Sequence, residues 1–175
     1  MFAVTERLLL RPGWVEDAPA LAHAIGDGAD TANLDHVHWP VGVQDAEAFL
    51  SQSPSPHRPR FLVALRDGNR VIGGVALSGD SEAELSFWIA RDHRGRGYAT
   101  EAGRAVLALA DSTLRLDRVK ARCATDNLGS ARVLRTLGFH CTGQIARLVG
   151  AGRGATLDAR VCLRERTRPS HALAA

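Results

Sequence analysis

Apolar and polar positions alternate with two different periods along this chain, and the order of those periods sets out its elements. Residues 6–12, ERLLLRP, form a short apolar run stopped by Pro12 and Gly13, which reads as a strand. The alanine- and leucine-rich stretch 16–25 reads as a helix. Residues 26–40, GDGADTANLDHVHWP, follow no period and read as loop; a short helix is predicted near 45–50, before a proline-rich break at 53–59. Residues 61–66 and 70–78 flank Asp67-Gly68 and predict a β-hairpin. In ELSFWIA, 84–90, Leu85, Phe87 and Ile89 share one face, while Glu84, Ser86, Trp88 and Ala90 share the other. Apolar groups on both faces mark a central strand.

The second half is patterned as clearly. Ala102, Val106, Leu109 and Ala110 recur at helical spacing and predict a helix over 98–114. Residues 118–123 alternate Val119, Ala121 and Cys123 against Arg118, Lys120 and Arg122, which is a strand with one wet face. A helix over 128–137 follows, with Asn127 or Asp126 available as its cap and Gly138 able to close it. Strands at 139–149 and 156–163 are separated by the glycine-rich loop 150–155, and the tail from 165 reads as frayed. The sequence shows neither repeat nor linker, so residues 1–175 are expected to form one α/β (α+β) domain around a single sheet.

Composition narrows the classes. With 45% hydrophobic and 23% charged residues the chain is neither disordered nor fibrous. No apolar run approaches the roughly 20 residues a membrane-spanning helix needs, and Glu6 stands where a signal peptide would carry basic residues. A cytoplasmic protein without a membrane partner is expected. Cys123, Cys141 and Cys162 are odd in number and widely spaced, so neither a disulfide framework nor a zinc knuckle is indicated. Net charge is only +3, and Lys120 is the sole lysine. Arginine's planar fork favours phosphate and carboxylate partners. The arginines are scattered among acids rather than striped along a helix, which argues against a nucleic-acid partner. His36 and His38 lack a third ligand nearby, so no metal is expected.

The stretch HRGRGYATE, 93–101, places two glycines and two arginines before the long helix. A Walker A loop would need a lysine, and a dinucleotide fingerprint would need glycine where Thr100 stands. The general device remains: glycine admits an anion close to backbone N–H groups, and a helix N-terminus adds unpaired donors and partial positive charge. A diphosphate held by the N–H groups of about 95–100, with charge from Arg94 and Arg96, fits this pattern.

ELSFWIARDHRGRGYATEA resembles the acetyl-CoA motif of the GNAT superfamily of N-acetyltransferases, Arg94-x-x-Gly97-x-Ala99 matching its [Q/R]-x-x-G-x-[G/A] signature. NLGSARVLRTLGF, 127–139, resembles the Asn-x-x-Ser helix ending in Leu-Gly-Phe of the ribosomal-protein (RimJ/RimL-like) branch, and TERLLLRP resembles its opening strand. The resemblance spans about 5–164, leaving 165–175 as tail. It implies a GNAT-type fold: a single mixed central sheet of about seven strands flanked by about four helices. It further implies acetyl-CoA as co-substrate without a metal, and direct transfer in a ternary complex to a primary amine. That amine would belong to a protein N-terminus or a small molecule, and a homodimer is expected by analogy. The donor would be held by Trp88, Ile89 and Ala90, by Arg94, Gly95, Arg96, Gly97, Tyr98, Ala99 and Thr100, and by Asn127 and Ser130.

Such a transfer sets three tasks. The attacking amine is mostly protonated at neutral pH, with a reference pKa of about 8 for an α-amine and ~10.4 for lysine, so a base must take its proton. Glu84 is the leading candidate, since it opens the strand that leads to the glycine-rich turn and family members often carry a carboxylate there. It also reads as an ordinary charge beside Glu82. Asp158, His36 and His38 are weaker candidates, and Glu101 reads as an acid favourable to a helix's first turn. The resemblance puts the oxyanion on a backbone N–H around 88–90. For the leaving thiolate, many superfamily members use a tyrosine seven residues after the helix-opening Asn; here that position is Leu134. Ser130 could take the role, and it is equally a good first-turn capping residue. Asn127 reads as a cap or as a partner for a pantetheine amide; the second is preferred because Asp126 could cap alone. Trp39-Pro40 matches an element of the same branch, which by the resemblance would line the acceptor groove; it reads equally as a loop anchor buried by its own bulk. The missing tyrosine leaves open a second class, an acyl-CoA-binding sensor without turnover. Acceptor choice is expected from the irregular half, 26–59.

Overall fold

Eight strands and four α-helices make up the described part of a computed structural model, which covers residues 1–26, 42–52, 55–79, 81–149 and 156–166. The strands are β1 (Ala3–Val4), β2 (Leu8–Arg11), β3 (Arg60–Leu65), β4 (Val71–Ser78), β5 (Glu84–Ile89), β6 (Arg118–Ala124), β7 (His140–Val149) and β8 (Thr156–Glu165). The helices are α1 (Ala18–Ile25), α2 (Val43–Ser51), α3 (Tyr98–Ser112) and α4 (Leu128–Thr136). One sheet holds all the strands in the order β1-β2-β3-β4-β5-β6-β8-β7. Every neighbouring pair is antiparallel except β5 and β6, which makes the sheet mixed, as expected. The count exceeds the expected seven because Ala3 and Val4 pair with Leu10 and Leu9 at the sheet's edge. Two residues are too few to show an alternation in sequence.

Two apolar layers sandwich the sheet. On one side Leu85 and Ile89 of β5 pack with Ala102, Val106, Leu107 and Ala110 of α3 and Leu134 of α4. On the other, Trp88 packs with Leu21 and Ile25 of α1 and Phe49 and Leu50 of α2. The two-faced pattern of ELSFWIA is thus realised as a central strand under both helical layers. Gly103 lets α3 approach the end of α4, since a Cβ there would lie 2.6 Å from a Leu137 methyl.

The first helix is tied to the sheet by charge. Arg11, at 4% exposure, sends Nη1 and Nη2 to the two carboxylate oxygens of Asp17, each at 2.7 Å. Burial alone would raise the Asp17 carboxyl, but hydrogen bonds from the Arg11 side chain and the Trp14 amide, with the Arg11 charge, hold it below its ordinary value.

The expectation about the end of the chain needs correction. The chain beyond residue 164 is not frayed at once: β8 runs through Glu165, and Arg166 N–H donates to the Asp117 carbonyl at 2.8 Å. Cys123 and Cys162 are buried free thiols, whereas Cys141 is exposed. Burial, reinforced by the neighbouring Cys141 and Cys123, pushes the Cys162 thiol up to about 12. Among the described residues no helix is long and apolar enough to cross a membrane.

Candidate functional site

The site begins where two neighbouring strands part. β5 and β6 share one register position, Glu84 opposite Lys120, with Lys120 N–H donating to the Ala83 carbonyl at 2.8 Å. Beyond it β5 continues to Ile89 in regular pairing with β4, from Ser78↔Glu84 to Gly73↔Ile89. Strand edges alternate residue by residue. The Ala83 carbonyl faces β6 and the Ala90 N–H bonds the Ile72 carbonyl at 2.8 Å, so Leu85, Phe87 and Ile89 turn their backbone groups toward β6. Past the vertex those of Phe87 and Ile89 meet a gap instead of a strand. Within the expected stretch 88–90, this alternation selects Ile89 as the donor aimed at the gap and assigns Trp88 and Ala90 to β4.

A cleft of about 430 Å³ occupies this gap, a volume in the range of small-molecule sites. Phe87, Trp88 and Ile89 form one wall. The glycine-rich turn forms one end, with Arg94, Gly95, Gly97, Tyr98, Ala99 and Thr100 all lining it. Gly95 (φ 73°) and Gly97 (φ 81°) both adopt the left-handed conformation that glycine alone enters freely, and Gly97 is the residue capping α3. With no side chain there to cap it, the first-turn N–H groups of Tyr98, Ala99 and Thr100 are left for a ligand. Arg94 anchors the turn to β5 by donating Nε–H to the Ile89 carbonyl at 2.9 Å.

Helix α4 supplies the facing wall through Asn127, Gly129, Ser130, Arg132, Val133 and Thr136. The cap belongs to Asn127, not Asp126: its side-chain oxygen accepts the Ser130 N–H at 3.0 Å. This corrects the division of labour read from sequence. One lone pair of the Asn127 oxygen is committed to the helix, which leaves the second lone pair and the NH₂ for another partner. Leu134, where the family tyrosine would stand, is 1% exposed and packed in the core.

Glu84 lies at the vertex, outside the residues lining the cleft. It is 7% exposed, and its two oxygens receive Nε and Nη2 of Arg122 at 2.7 and 2.8 Å. Lys120 stands 3.7 Å from the same carboxylate. The charge is therefore not an ordinary surface acid beside Glu82, which instead pairs with Arg118 at 3.0 Å. Ser86, on the same strand face, holds a buried hydroxyl oxygen without a hydrogen-bond partner among the described residues.

Of the residues read from sequence as the donor site, Ala90 and Arg96 also fall outside the cleft lining. Ala90 is spent on β4, and the Arg96 carbonyl accepts from Arg7 Nη1 at 3.0 Å. Asp158 is an exposed residue whose carboxylate lies 4.0 Å from Arg147 on the β7–β8 hairpin, and it is not among the residues lining the cleft. His36, His38, Trp39 and Pro40 lie outside the described residues. Among the described residues no group of three His, Cys, Asp or Glu side chains could hold a metal.

Sequence reading missed Phe87, His93, Gly129, Arg132, Val133 and Thr136 in the lining. Phe87 could have been found from strand alternation, and Val133 from its place one turn beyond Ser130. His93 gives no such signal. Its Nδ1 is buried without a partner among the described residues, and burial, with Arg70 and Arg96 nearby, pulls its pKa below the ordinary value against a smaller opposing effect of Asp92.

Known proteins share this architecture. A family model described as "Acetyltransferase (GNAT) domain" matches residues 7–140. The uncharacterized N-acetyltransferase YnaD of Bacillus subtilis is 27% identical over 158 residues, covering 87% of this chain and 90% of its own. The ribosomal-protein-S5-alanine acetyltransferase of Vibrio fischeri superposes with a TM-score of 0.80 at 20% identity, over 97% of this chain and 100% of that one. RimL, a ribosomal L7/L12 α-N-protein acetyltransferase solved with coenzyme A, superposes with a TM-score of 0.78 at 18% identity, over 95% and 98% of the two chains.

Proposed function

This chain belongs to the GNAT acetyltransferase family and is an N-acetyltransferase, and from that premise we propose that it moves an acetyl group from acetyl-CoA to the primary amine of a protein N-terminus. A small-molecule amine is the other acceptor class compatible with the site. By analogy with the ribosomal-protein branch it acts as a cytoplasmic homodimer, with neither metal nor nucleic acid. The observation that carries the donor assignment is the gap between β5 and β6, which opens directly beside the uncapped N-terminus of α3.

The residues present fit the donor's chemistry. Its diphosphate needs convergent N–H donors, which Gly97 to Thr100 offer, and its amide-bearing arm needs a polar edge, which Phe87 and Ile89 offer. In the reaction the amine nitrogen bonds the acetyl carbon, the carbon–sulfur bond breaks, and the sulfur leaves with the bonding pair. The Ile89 N–H is aimed into the gap and supports the charge that grows on the carbonyl oxygen. Glu84 takes the proton lost by the amine. Arg122 occupies one lone pair on each Glu84 oxygen, leaving the others to receive that proton directly or through water. Ser130, on the first turn of α4, donates to the departing sulfur in place of the tyrosine whose position Leu134 fills.

Coenzyme A release measured from acetyl-CoA with a panel of N-terminal peptides and small amines tests this reading. Acceptor-dependent turnover that falls in Glu84→Gln while coenzyme A binding persists supports it. Tight coenzyme A binding without turnover on any acceptor would instead favour the sensor reading, for which the burial of Leu134 is the specific observation.

A further inference from the structure

Arg7 reaches the glycine-rich turn from the other end of the sequence. It sits between β1 and β2, and its Nη1–H donates to the Arg96 carbonyl at 3.0 Å. Its Nε–H donates to Glu101 Oε2 at 2.7 Å, and its backbone N–H to Glu101 Oε1 at 2.9 Å. The guanidinium lies over the Tyr98 ring, 4.6 Å from the centroid. Thr5 adds a hydroxyl bond to Glu101 Oε1 at 2.6 Å. Arg7 itself does not line the cleft, whereas Gly97, Tyr98 and Thr100 do.

Two physical consequences follow from this arrangement. In a trans peptide the C=O and the following N–H point in opposite directions. The Arg96–Gly97 peptide is trans, so a carbonyl pulled toward Arg7 sends the Gly97 N–H away from Arg7. That peptide would otherwise be free to rotate, since Gly97 has no side chain and sits at positive φ. The second consequence is electrostatic. Glu101 places a negative charge in the first turn of α3, where it competes with an incoming anion for the helix terminus. Arg7 cancels that charge at a distance of 2.7 Å.

We propose that Arg7 is a positioning residue for the donor's diphosphate: it fixes the Arg96–Gly97 peptide with its N–H toward the cleft and neutralises Glu101 beneath the anion site. This rests on the acetyl-CoA reading above. The role is remote, through backbone orientation and charge balance, and it explains why an exposed arginine makes so many contacts with one turn.

Calorimetric titration of the full chain with coenzyme A and with pantetheine, which lacks the diphosphate, tests it. Arg7→Ala is expected to weaken coenzyme A binding by about 30-fold, the loss of one or two charge-assisted bonds, and to leave pantetheine binding within twofold. Arg7→Ala combined with Glu101→Gln is expected to recover about tenfold of the loss, because the uncancelled charge is gone. Arg7→Lys keeps a cation near Glu101 but lacks the fork that also reaches the Arg96 carbonyl, so it is expected to fall between the wild type and Arg7→Ala. It carries the same comparison if Arg7→Ala folds poorly. Equal losses for the two ligands, or coenzyme A binding unchanged in both variants, would overturn the proposal. A wild-type protein that binds neither ligand would overturn the acetyl-CoA reading itself.

Discussion

The two ends of β5 are built in opposite ways. At Ile89 the strand turns its backbone N–H to an open gap, with its carbonyl held by Arg94, and passes into a turn that carries two glycines. At Glu84 its edge is closed by a parallel partner, and its side chain is gripped by Arg122 with Lys120 beside it. In the proposed reaction one end would recognise through main-chain N–H groups and the other would act through a charge held in place. Under the proposed function, donor binding and proton transfer rest on different chemical materials only five residues apart on one strand.

Substitutions should therefore separate the two ends. The largest effect is expected from Gly97→Val: a β-branched residue at φ 81° is strained, and its side chain would grow toward Arg7 Nη2, 3.5 Å from the Cβ position. Coenzyme A affinity measured by titration should drop by roughly 100-fold or more, because both the turn and the Arg7 contact are disturbed. Glu84→Gln should do the reverse, lowering kcat by about 100-fold while leaving the dissociation constant of coenzyme A unchanged. Removing the carboxylate charge also strips the half-buried Arg122 of its bidentate partner, while Lys120 keeps Glu82 at 3.7 Å, so thermal unfolding should report a loss of about 3 kcal/mol. A variant that lost donor affinity and kcat together would erase the distinction between the ends.

Ser130→Ala tests the side of the gap opposite β5. Its hydroxyl makes no hydrogen bond among the described residues, while its backbone N–H is held by Asn127, so the helix should survive the change. Loss of the hydroxyl's hydrogen bond to the leaving sulfur is expected to lower kcat by about tenfold with stability unchanged. The smallest effect concerns acid. Burial raises the Glu101 carboxyl, but bonds from Thr5 and from the Arg7 backbone and side chain outweigh it and leave its pKa below the ordinary 4.5. A carboxyl depressed in the folded state stabilises above its unfolded pKa and loses that contribution as pH falls through the folded value. Glu101→Gln should therefore flatten the fall in stability below about pH 4.5, by less than ~1 kcal/mol, in denaturant titrations across pH.

Much of this molecule was legible in sequence because it is local. The predicted helix and strand centres match α1 to α4 and β2 to β8, since each carries its own period and its own stops. The glycine-rich turn was legible for the same reason: Gly95, Gly97 and the helix they precede are contiguous. What escaped is long-range or main-chain. The Arg7 contacts join residues about ninety positions apart, and the Glu84–Arg122 pair depends on which register β5 and β6 share. Asn127 and Asp126 compete for one cap, and only the turn geometry decides between them. The β1 strand is two residues long, too short to carry a period. Residues 27–41 carry no hydrophobic period from which an element could be read.

The divergence of β5 from β6 also bears on how freely this site can vary. In the middle of an eight-stranded sheet it creates an interior edge, half a strand that behaves like the rim of a sheet while both its faces are covered by helices. The hydrogen bonds such an edge offers come from its backbone, whatever side chains carry it. Phe87 and Ile89 answer to the packing under α3, and any residues that fill that layer equally well would present the same hydrogen-bonding row to the gap. The row of hydrogen-bonding groups facing the gap is thus a property of where the backbone goes.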